Sequence, residues 1–486
     1  MDKQLKPEES RLLNAAFTFA QKKKVKLYLV GGYLRDRILK REKLHPDIDF
    51  CLKKGSIVFG RSLAREIRAG FVVLDREHGS CRLVKKTGGK VYTLDFTDFR
   101  GKDLLEDLLL RDFTINAMAL ALEEAVAFSH WDDALIDPYG ARRDIKRKVI
   151  RMVHSGAFDE DPLRVLRAFS LASIFGFTIA KETIRLIRLK CQALSAVSGE
   201  RIRDELFKIL EGPDAYAYFS RMDKLKVLDA VMPEIGQMRR IAQGPYHHLD
   251  VWKHSLETVR QLELLIQEFK KNKDVSEYLG ETLSSVRTRG SLMKLGALLH
   301  DIGKPKARRR KNGKLIFHGH ERLGSLITEG LARRLHLSNG EIDALKRMVF
   351  WHLRPGYLGD SPVVTPRAAF RYFRDAAFEG ASILLLSMAD QRSTKGRLTT
   401  RASRVQHEKI CSCLIKEYFR KAKAEKPARL VNGDELMRAC KLTPSPLVGK
   451  ILSELQELQA IGKIHSKAEA FKAAQRCIER SRKLKK

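Results

Sequence analysis

Apolar residues at Leu12, Leu13, Ala16, Phe17, Phe19 and Ala20 recur at helical spacing and predict a helix over residues 5 to 24, with Lys22, Lys23 and Lys24 closing its last turn. A strand is expected at Lys26 to Val30, then the pair Gly31-Gly32, a short helix from Tyr33, and a second strand around Asp47 to Leu52, where apolar positions alternate. Ser56 to Gly70 reads as helix. Phe71 to Asp75, Cys81 to Lys86 and Val91 to Phe96 read as strands, the last two joined by a Thr87-Gly88-Gly89 turn. From about Asp103 strand signals nearly vanish, and the spacing in Leu163 to Phe175, Ile184 to Leu194 and Ile202 to Leu210 predicts helix after helix. The expected fold class is α+β: a small mixed-sheet head followed by an all-helical remainder. A connection containing glycine and proline at Met232 to Pro245 marks a boundary before a second helical unit that holds most of the 14 histidines.

Composition adds a partner to this outline. The chain has 486 residues, 44% of them apolar, enough to bury several cores. Its 93 Lys and Arg against 59 Asp and Glu leave a formal charge of +34. Such an excess implies a polyanion, nucleic acid first, because cations that neutralise phosphates also release counterions. The longest apolar stretches, such as Ala381 to Ala389, fall short of the roughly 18 residues a membrane span needs, and no charged segment leads into an apolar one at the N-terminus. Seven scattered cysteines, with Cys411 and Cys413 too close for the usual zinc pairing, fit a reducing setting. The expectation is a soluble, cytoplasmic protein with no membrane partner.

Candidate chemistry begins with Asp47-Ile48-Asp49. On a strand, residues i and i+2 share a face, so two carboxylates converge and need a cation. Asp95 lies on a strand that could run beside the first, and three such acids can hold two Mg²⁺ ions for an in-line phosphoryl displacement. Upstream, Gly31-Gly32 followed by Arg35 and Asp36 supplies amides that can approach a phosphate and a guanidinium to hold it.

Five segments then occur in order: Val30-Gly31-Gly32-Tyr33-Leu34-Arg35-Asp36, Asp47-Ile48-Asp49, Arg111-Asp112-Phe113-Thr114-Ile115-Asn116-Ala117-Met118-Ala119, Asp137-Pro138-Tyr139-Gly140 and Glu160-Asp161-Pro162-Leu163-Arg164-Val165-Leu166-Arg167. Together they resemble the motifs of bacterial tRNA nucleotidyltransferases and poly(A) polymerases, the class II CCA-adding family. The similarity is strong over roughly residues 25 to 215, with echoes at Val431 to Leu436 and Pro446 to Lys450. It implies that Asp47 and Asp49 hold Mg²⁺ as catalytic carboxylates, with Asp95 as a third acid. It implies that Gly31, Gly32 and Arg35 seat a triphosphate, that Arg111 meets phosphate, and that Asp112 and Asn116 meet ribose. Asp161 and Arg164, expected one helical turn apart on one face, would read a base edge and select C and A, with Arg167 among the nucleotide-binding residues. Ser198-Gly199-Glu200-Arg201 resembles the last neck motif. Two positions depart from the family pattern: Leu110 precedes Arg111 where an arginine is usual, and Ser170 stands where the following helix usually carries another.

His254, His300-Asp301 and Asp390 occur in order on predicted helices, with His320 and His352 between them. Imidazole with carboxylate suits a transition metal better than Mg²⁺. This set resembles the HD phosphohydrolase superfamily, similar domains of which are appended to some bacterial tRNA nucleotidyltransferases. The resemblance implies His254, His300, Asp301 and Asp390 as ligands of a divalent ion such as Mn²⁺, Ni²⁺, Fe²⁺ or Co²⁺. His318, His320 and His352 are candidates for a second metal position. The implied activity is hydrolysis of phosphomonoesters or 2′,3′-cyclic phosphates.

Lys304, Lys306, Arg308, Arg309, Arg310, Lys311 and Lys314 form one basic run, and Arg392, Lys395, Arg397, Arg401 and Arg404 another. With the tail through Lys483, Lys485 and Lys486 they offer a positive surface for a tRNA-sized anion. The expected domains are a nucleotidyltransferase head (1–150), a helical neck (151–236), an HD domain (237–402) and a basic helical tail (403–486). The expected activity is template-independent addition of CMP and AMP, from CTP and ATP, to tRNA 3′ ends. CCA addition is favoured, with C-only, A-only or poly(A) synthesis as alternatives and an HD phosphohydrolase with an inactive head as a further one. The segment between the Asp47-Asp49 strand and the Arg111 motif is the feature expected to separate these products.

Overall fold

The computed structural model describes residues 6–43, 45–127, 131–359, 363–423 and 429–483, so Lys485 and Lys486 of the basic tail lie outside the described residues. The chain divides into two compact units, one comprising Met1–Gly212 and Arg221–Val231, the other Pro213–Ser220 and Met232–Lys486.

In the first unit, six strands form one sheet: β1 (Tyr28–Val30), β2 (Asp47–Leu52), β3 (Gly70–Asp75), β4 (Ser80–Thr87), β5 (Lys90–Asp98) and β6 (Ala119–Ala121), in the spatial order β3-β4-β5-β2-β1-β6. Only β2 and β5 run parallel, and their register sets Asp47 opposite Thr93 and Asp49 opposite Asp95. Alternation along β2 sends Ile48 and Phe50 to one face, where Phe50 stacks on Phe96 with ring centroids 4.7 Å apart. Helix α1 (Pro7–Lys23) and, beyond α2 (Gly32–Ile38), helix α3 (Ser56–Glu66) supply aromatic cover for that face through Phe19 and Phe59. The acids therefore emerge on the opposite face.

The expected turn at Thr87-Gly88-Gly89 is a two-residue hairpin in which Gly88 and Gly89 have φ of +55° and +71°. Strand β6 was not expected. It lies inside an alanine-rich segment with little intrinsic strand preference and exists by pairing along β1. The remainder is mostly, not wholly, helical. Short ribbons pair Val149–Ile150 with Thr178–Ile179, Thr282–Ser284 with Arg287–Thr288, and Arg309–Lys311 with Lys314–Ile316.

The second unit is built on helices including Val251–Glu268, Arg289–Leu299, His320–Arg334, Asn339–Trp351 and Gly380–Ser393. Its last three helices, Gly433–Cys440, Pro446–Ala460 and Lys467–Lys483, close over a core of their own that contains Leu436, Ile451, Leu455 and Ala474. One glycine governs how the histidine-bearing segments meet. At Gly303, which follows His300-Asp301, a Cβ would lie 2.1 Å from the carbonyl oxygen of His320 and 2.5 Å from the amide nitrogen of Gly324. Backbone atoms cannot yield as a side chain can, so only glycine permits this approach.

Gly303→Ala is therefore expected to destabilise the second unit by about 1–3 kcal/mol or more, as overpacking does. Gly330→Ala, in the middle of the helix His320–Arg334, is the matched control, because a Cβ there meets nothing within 4 Å. It is expected to stabilise by about 1 kcal/mol, the helix preference of Ala over Gly. Thermal unfolding followed by circular dichroism should move in opposite directions for the two variants.

Candidate active site and histidine-rich centre

Unlike the segment Asp137 to Gly140, the residues expected to hold metal or nucleotide in the head and neck, from Gly31 and Asp47 to Arg164 and Arg167, all line one cleft of about 810 Å³ in the first unit. Its floor is the acidic face of β2 and β5. The Asp47 carboxylate accepts a hydrogen bond from the Thr93 hydroxyl and lies 3.3 Å from the Lys43 ammonium. Burial, and then the neighbouring charge of Asp95, raise the Asp49 carboxyl to about 6. Asp95 sits beside Asp49 as expected, yet it is also held in two hydrogen bonds from Arg82, at 2.8 and 2.7 Å. Asp47 and Asp49, on one face of β2, offer carboxylates that fit a hard divalent cation such as Mg²⁺, whereas Asp95, taken up by Arg82, does not join them in a metal-capable group of three among the described residues.

The glycine turn closes over this floor. Gly31 has φ of +66°, and a Cβ there would lie 3.1 Å from the Arg111 guanidinium and 3.4 Å from an Asp49 oxygen. Helix α2 starts at Gly32 and points Arg35 into the cleft, where it donates to Asn116 and Asp36 and stacks 4.4 Å over Phe175. Arg41 lies 4.7 Å from that ring, so two guanidinium groups share one aromatic platform. Arg111 is fixed by Asp107 of α4 (Leu104–Leu109) at 2.9 Å. Burial alone would raise the Asp112 carboxyl, but Arg167 at 2.6 Å, Asn116 at 2.9 Å and the Phe113 amide hold it well below the usual carboxylate range. The three residues Asp112, Asn116 and Arg167 thus form one rigid hydrogen-bonded group.

Asp161 and Arg164 do not share a helix. Helix Ala157–Glu160 stops, Asp161 is extended (φ −147°, ψ 100°), and the next helix begins at Arg164. Pro162 is the cause, because the residue before a proline is driven out of the helical region. The two side chains still line the same cleft. Asp161 accepts from Arg201 at 2.7 Å, which gives the neck motif a part in the site that its sequence did not suggest. Arg164 donates to the carbonyl of Leu110 and to Glu160, both at 2.9 Å. Position 110 therefore contributes through its backbone. Arg100, which no motif marked, lines the cleft and also donates to that carbonyl. Ser170 donates to Glu205, which in turn lies 3.5 Å from Arg167.

In the second unit, two triplets of metal-capable side chains form, His254 with His300 and Asp390, and Asp301 with His320 and His352, their ligand atoms within 4.8 Å of one another in each. Two groups form where a four-residue set and a second position were expected, with Asp301 grouped with His320 and His352 of the second position. One Asp301 oxygen lies 3.7 Å from His254 and 3.2 Å from His300, the other 3.4 Å from His320 and 3.8 Å from His352. His300, His320 and His352 each donate Nδ1–H to a carbonyl three residues earlier, at 2.8, 2.8 and 2.7 Å. This fixes the tautomer that leaves Nε2 free to bind a metal. Those three Nε2 atoms and Asp301 Oδ1 are buried without a hydrogen-bond partner. Orphaned buried acceptors aimed at one centre fit divalent metal ions, which would satisfy them together. His318 is exposed and stands outside both groups. Lys304 belongs to this centre and not to a basic surface, since it is buried and donates to Asp301 and Gln243, both at 2.6 Å. Arg392, at the head of the second basic run, is likewise paired with Glu268 and Glu408.

Among the described residues no helix is long and apolar enough to cross a membrane. Family models match residues 27–151 as "Poly A polymerase head domain", 176–238 as "Probable RNA and SrmB- binding site of polymerase A" and 251–378 as "HD domain". An A-adding tRNA nucleotidyltransferase of Deinococcus radiodurans is 31% identical over 466 residues, 93% of this chain and 95% of that protein. A CC-adding tRNA nucleotidyltransferase of Geobacter sulfurreducens is 28% identical over 444 residues, 91% of this chain and 90% of that one. Among solved structures, the Thermotoga maritima CCA-adding enzyme complexed with tRNA shares the fold at 22% identity, with a TM-score of 0.64 over 98% of this chain and 97% of its own. With identity of this order along nearly the whole of both chains, the protein belongs to the class II tRNA nucleotidyltransferase and poly(A) polymerase family, and is a nucleotidyltransferase built from head, RNA-binding and HD domains.

Proposed function

We propose that this chain transfers nucleoside monophosphates from CTP or ATP to the 3′ end of tRNA, and that it works with one base, building part of the CCA end. The substrates follow from relatives named for tRNA, and from solved relatives described with tRNA, ATP and CTP. The restriction to one base goes against the full CCA addition that the sequence favours, and one observation carries it. The link between β5 and α4 is only residues 99 to 103, and four of the five make hydrogen bonds that pin it. Phe99 N–H donates to Leu52, Arg100 N–H to Asp107, Lys102 N–H to Glu106, and Asp103 caps α4. That helix leads to Leu110, whose carbonyl holds Arg164. Cytosine and adenine place their donor and acceptor edges on rings of different size, so reading both requires the Asp161 and Arg164 pair to move. A short lever held by these bonds supports one setting of that pair.

Mg²⁺ held by Asp47 and Asp49 would supply charge neutralisation at the reacting phosphate. The chain's own side chains do the rest. The turn at Gly31 and Gly32, with Arg35 and Arg111, receives the triphosphate, and the Asp112, Asn116 and Arg167 group presents fixed partners to the ribose. The RNA 3′ hydroxyl gives up its proton to water, its oxygen bonds to the α-phosphorus, the bond from that phosphorus to the oxygen bridging the β-phosphate breaks, and pyrophosphate leaves.

For the HD domain we propose metal-dependent hydrolysis of phosphate esters. The two ligand groups, with an oxygen of Asp301 turned toward each, support it, because paired ions suit phosphoryl chemistry.

Three tRNA transcripts ending before CCA, after C and after CC, each offered ATP, CTP or both, test the transferase reading. Incorporation of a single base type is expected. Complete CCA on the first transcript would overturn the restriction, and no incorporation on any transcript would overturn the transferase itself. Asp47→Ala is expected to lower the incorporation rate by about three orders of magnitude or more while RNA affinity stays near normal, since neutralisation acts mainly in the transition state. His300→Ala combined with Asp301→Ala should abolish binding of Mn²⁺ by the HD domain, measured by calorimetry, and any phosphatase activity, with nucleotide addition retained.

A further inference from the structure

Between Asp301 and His320 the chain leaves the histidine-rich centre and returns to it. It does so as a ribbon, Arg309–Lys311 paired with Lys314–Ile316, closed by Asn312 and Gly313 with φ of +50° and +73°. Both central residues at positive φ make the tight hairpin turn whose twist suits two strands, so the ribbon is a defined structure. Its base is tied to the metal-capable residues on both sides: Lys304 donates to Asp301, and the carbonyl of Phe317 accepts from His320 Nδ1.

Arg308, Arg309, Arg310, Lys311 and Lys314 are all exposed. None of these five forms an ion pair among the described residues, unlike Arg333, Arg347 and Arg371, which meet Glu329, Asp343 and Glu457. The segment from Lys304 to Lys314 contains no acid, and the turn carries only Asn and Gly. An exposed surface of charge without apolar anchors is poor at holding a folded protein, whose interfaces need a packed centre. It is well suited to phosphates repeated along a strand.

We propose that this ribbon docks a single RNA strand by its phosphates and delivers the strand's phosphorylated 3′ end to the HD centre, which then acts on polynucleotide ends in preference to free nucleotides. The inference rests on the phosphohydrolase reading of that centre. In the reaction the oxygen of water bonds to the terminal phosphorus, the bond from phosphorus to the 3′ oxygen breaks, and that oxygen leaves with a proton. Inorganic phosphate and a 3′ hydroxyl result.

The test uses the full-length protein with Mn²⁺ and two matched substrates, a short single-stranded RNA ending in a 3′-phosphate and a nucleoside 3′-monophosphate. In the variant combining Arg308→Ala, Arg310→Ala, Lys311→Ala and Lys314→Ala, KM for the RNA should rise about tenfold or more with kcat kept. The slope of log kcat/KM against log salt should flatten by about 3, the effect of four lost phosphate contacts on a single strand. Hydrolysis of the nucleoside 3′-monophosphate should not change. Independently of turnover, the same RNA carrying a photoreactive base at its 3′ end should cross-link to peptides within residues 304 to 320, and lose that cross-link in the variant. An unchanged KM for RNA, or cross-links that map elsewhere, would overturn the proposal. Cross-linking at the ribbon with hydrolysis of neither substrate would uphold the docking surface and overturn the phosphohydrolase reading instead.

Discussion

The head is organised around a repulsion. The parallel register of β2 with β5 sets Asp49 directly beside Asp95, and partial burial of the pair makes that proximity costly. Much of the surrounding sequence can be understood as the means of tolerating it. Arg82 grips Asp95 from the neighbouring strand, Arg111 approaches Asp49 from beyond the glycine turn, and Lys43 reaches Asp47 from the loop before β2. Each of these cations is itself positioned by the sheet or by a carboxylate behind it, as Arg111 is by Asp107. The arrangement stays poised because the acids are compensated, not neutralised. A site satisfied fully by its own arginines would have nothing left to offer a metal or a phosphate.

The histidine-rich centre solves the related problem of keeping ligands ready by other means. Its imidazoles are held by backbone carbonyls near helix ends, which carry acceptors that the helix itself cannot satisfy. One cation, Lys304, balances the shared carboxylate from within the protein. The head therefore relies on charge against charge at the open floor of a cleft. The centre relies on imidazole nitrogens aimed by the main chain, with Asp301 and Asp390 among them, in a buried pocket, a set that suits a softer ion than carboxylates alone would.

Much of this was legible in the sequence because it depends on short spacing. Asp47 and Asp49 had to share a strand face, the pair Gly88 and Gly89 had to turn a hairpin, and the order His254, His300-Asp301, Asp390 outlined a ligand set before any contact was known. What escaped the sequence depends on the chain folding back on itself. Strand β6 exists only because β1 lies beside it. Arg100 and Arg201 enter the cleft without belonging to a catalytic motif, and Lys304 turns inward from a run of surface cations. Asp161 was misread for a local reason that was present in the sequence: the Pro162 that follows it ends the helix. The departures at positions 110 and 170 carry less weight in the structure than in the sequence. Leu110 serves through its carbonyl, and Ser170 joins the network around Glu205.

The three imidazoles anchored through Nδ1 have a consequence for which metal the pocket suits. Since the rings are aimed by the main chain, helix geometry sets their orientation, whereas the ligands of a zinc finger are ordered by the ion itself. Which divalent ion such a set would accept is then decided by its nitrogen-rich ligands more than by the fold around them.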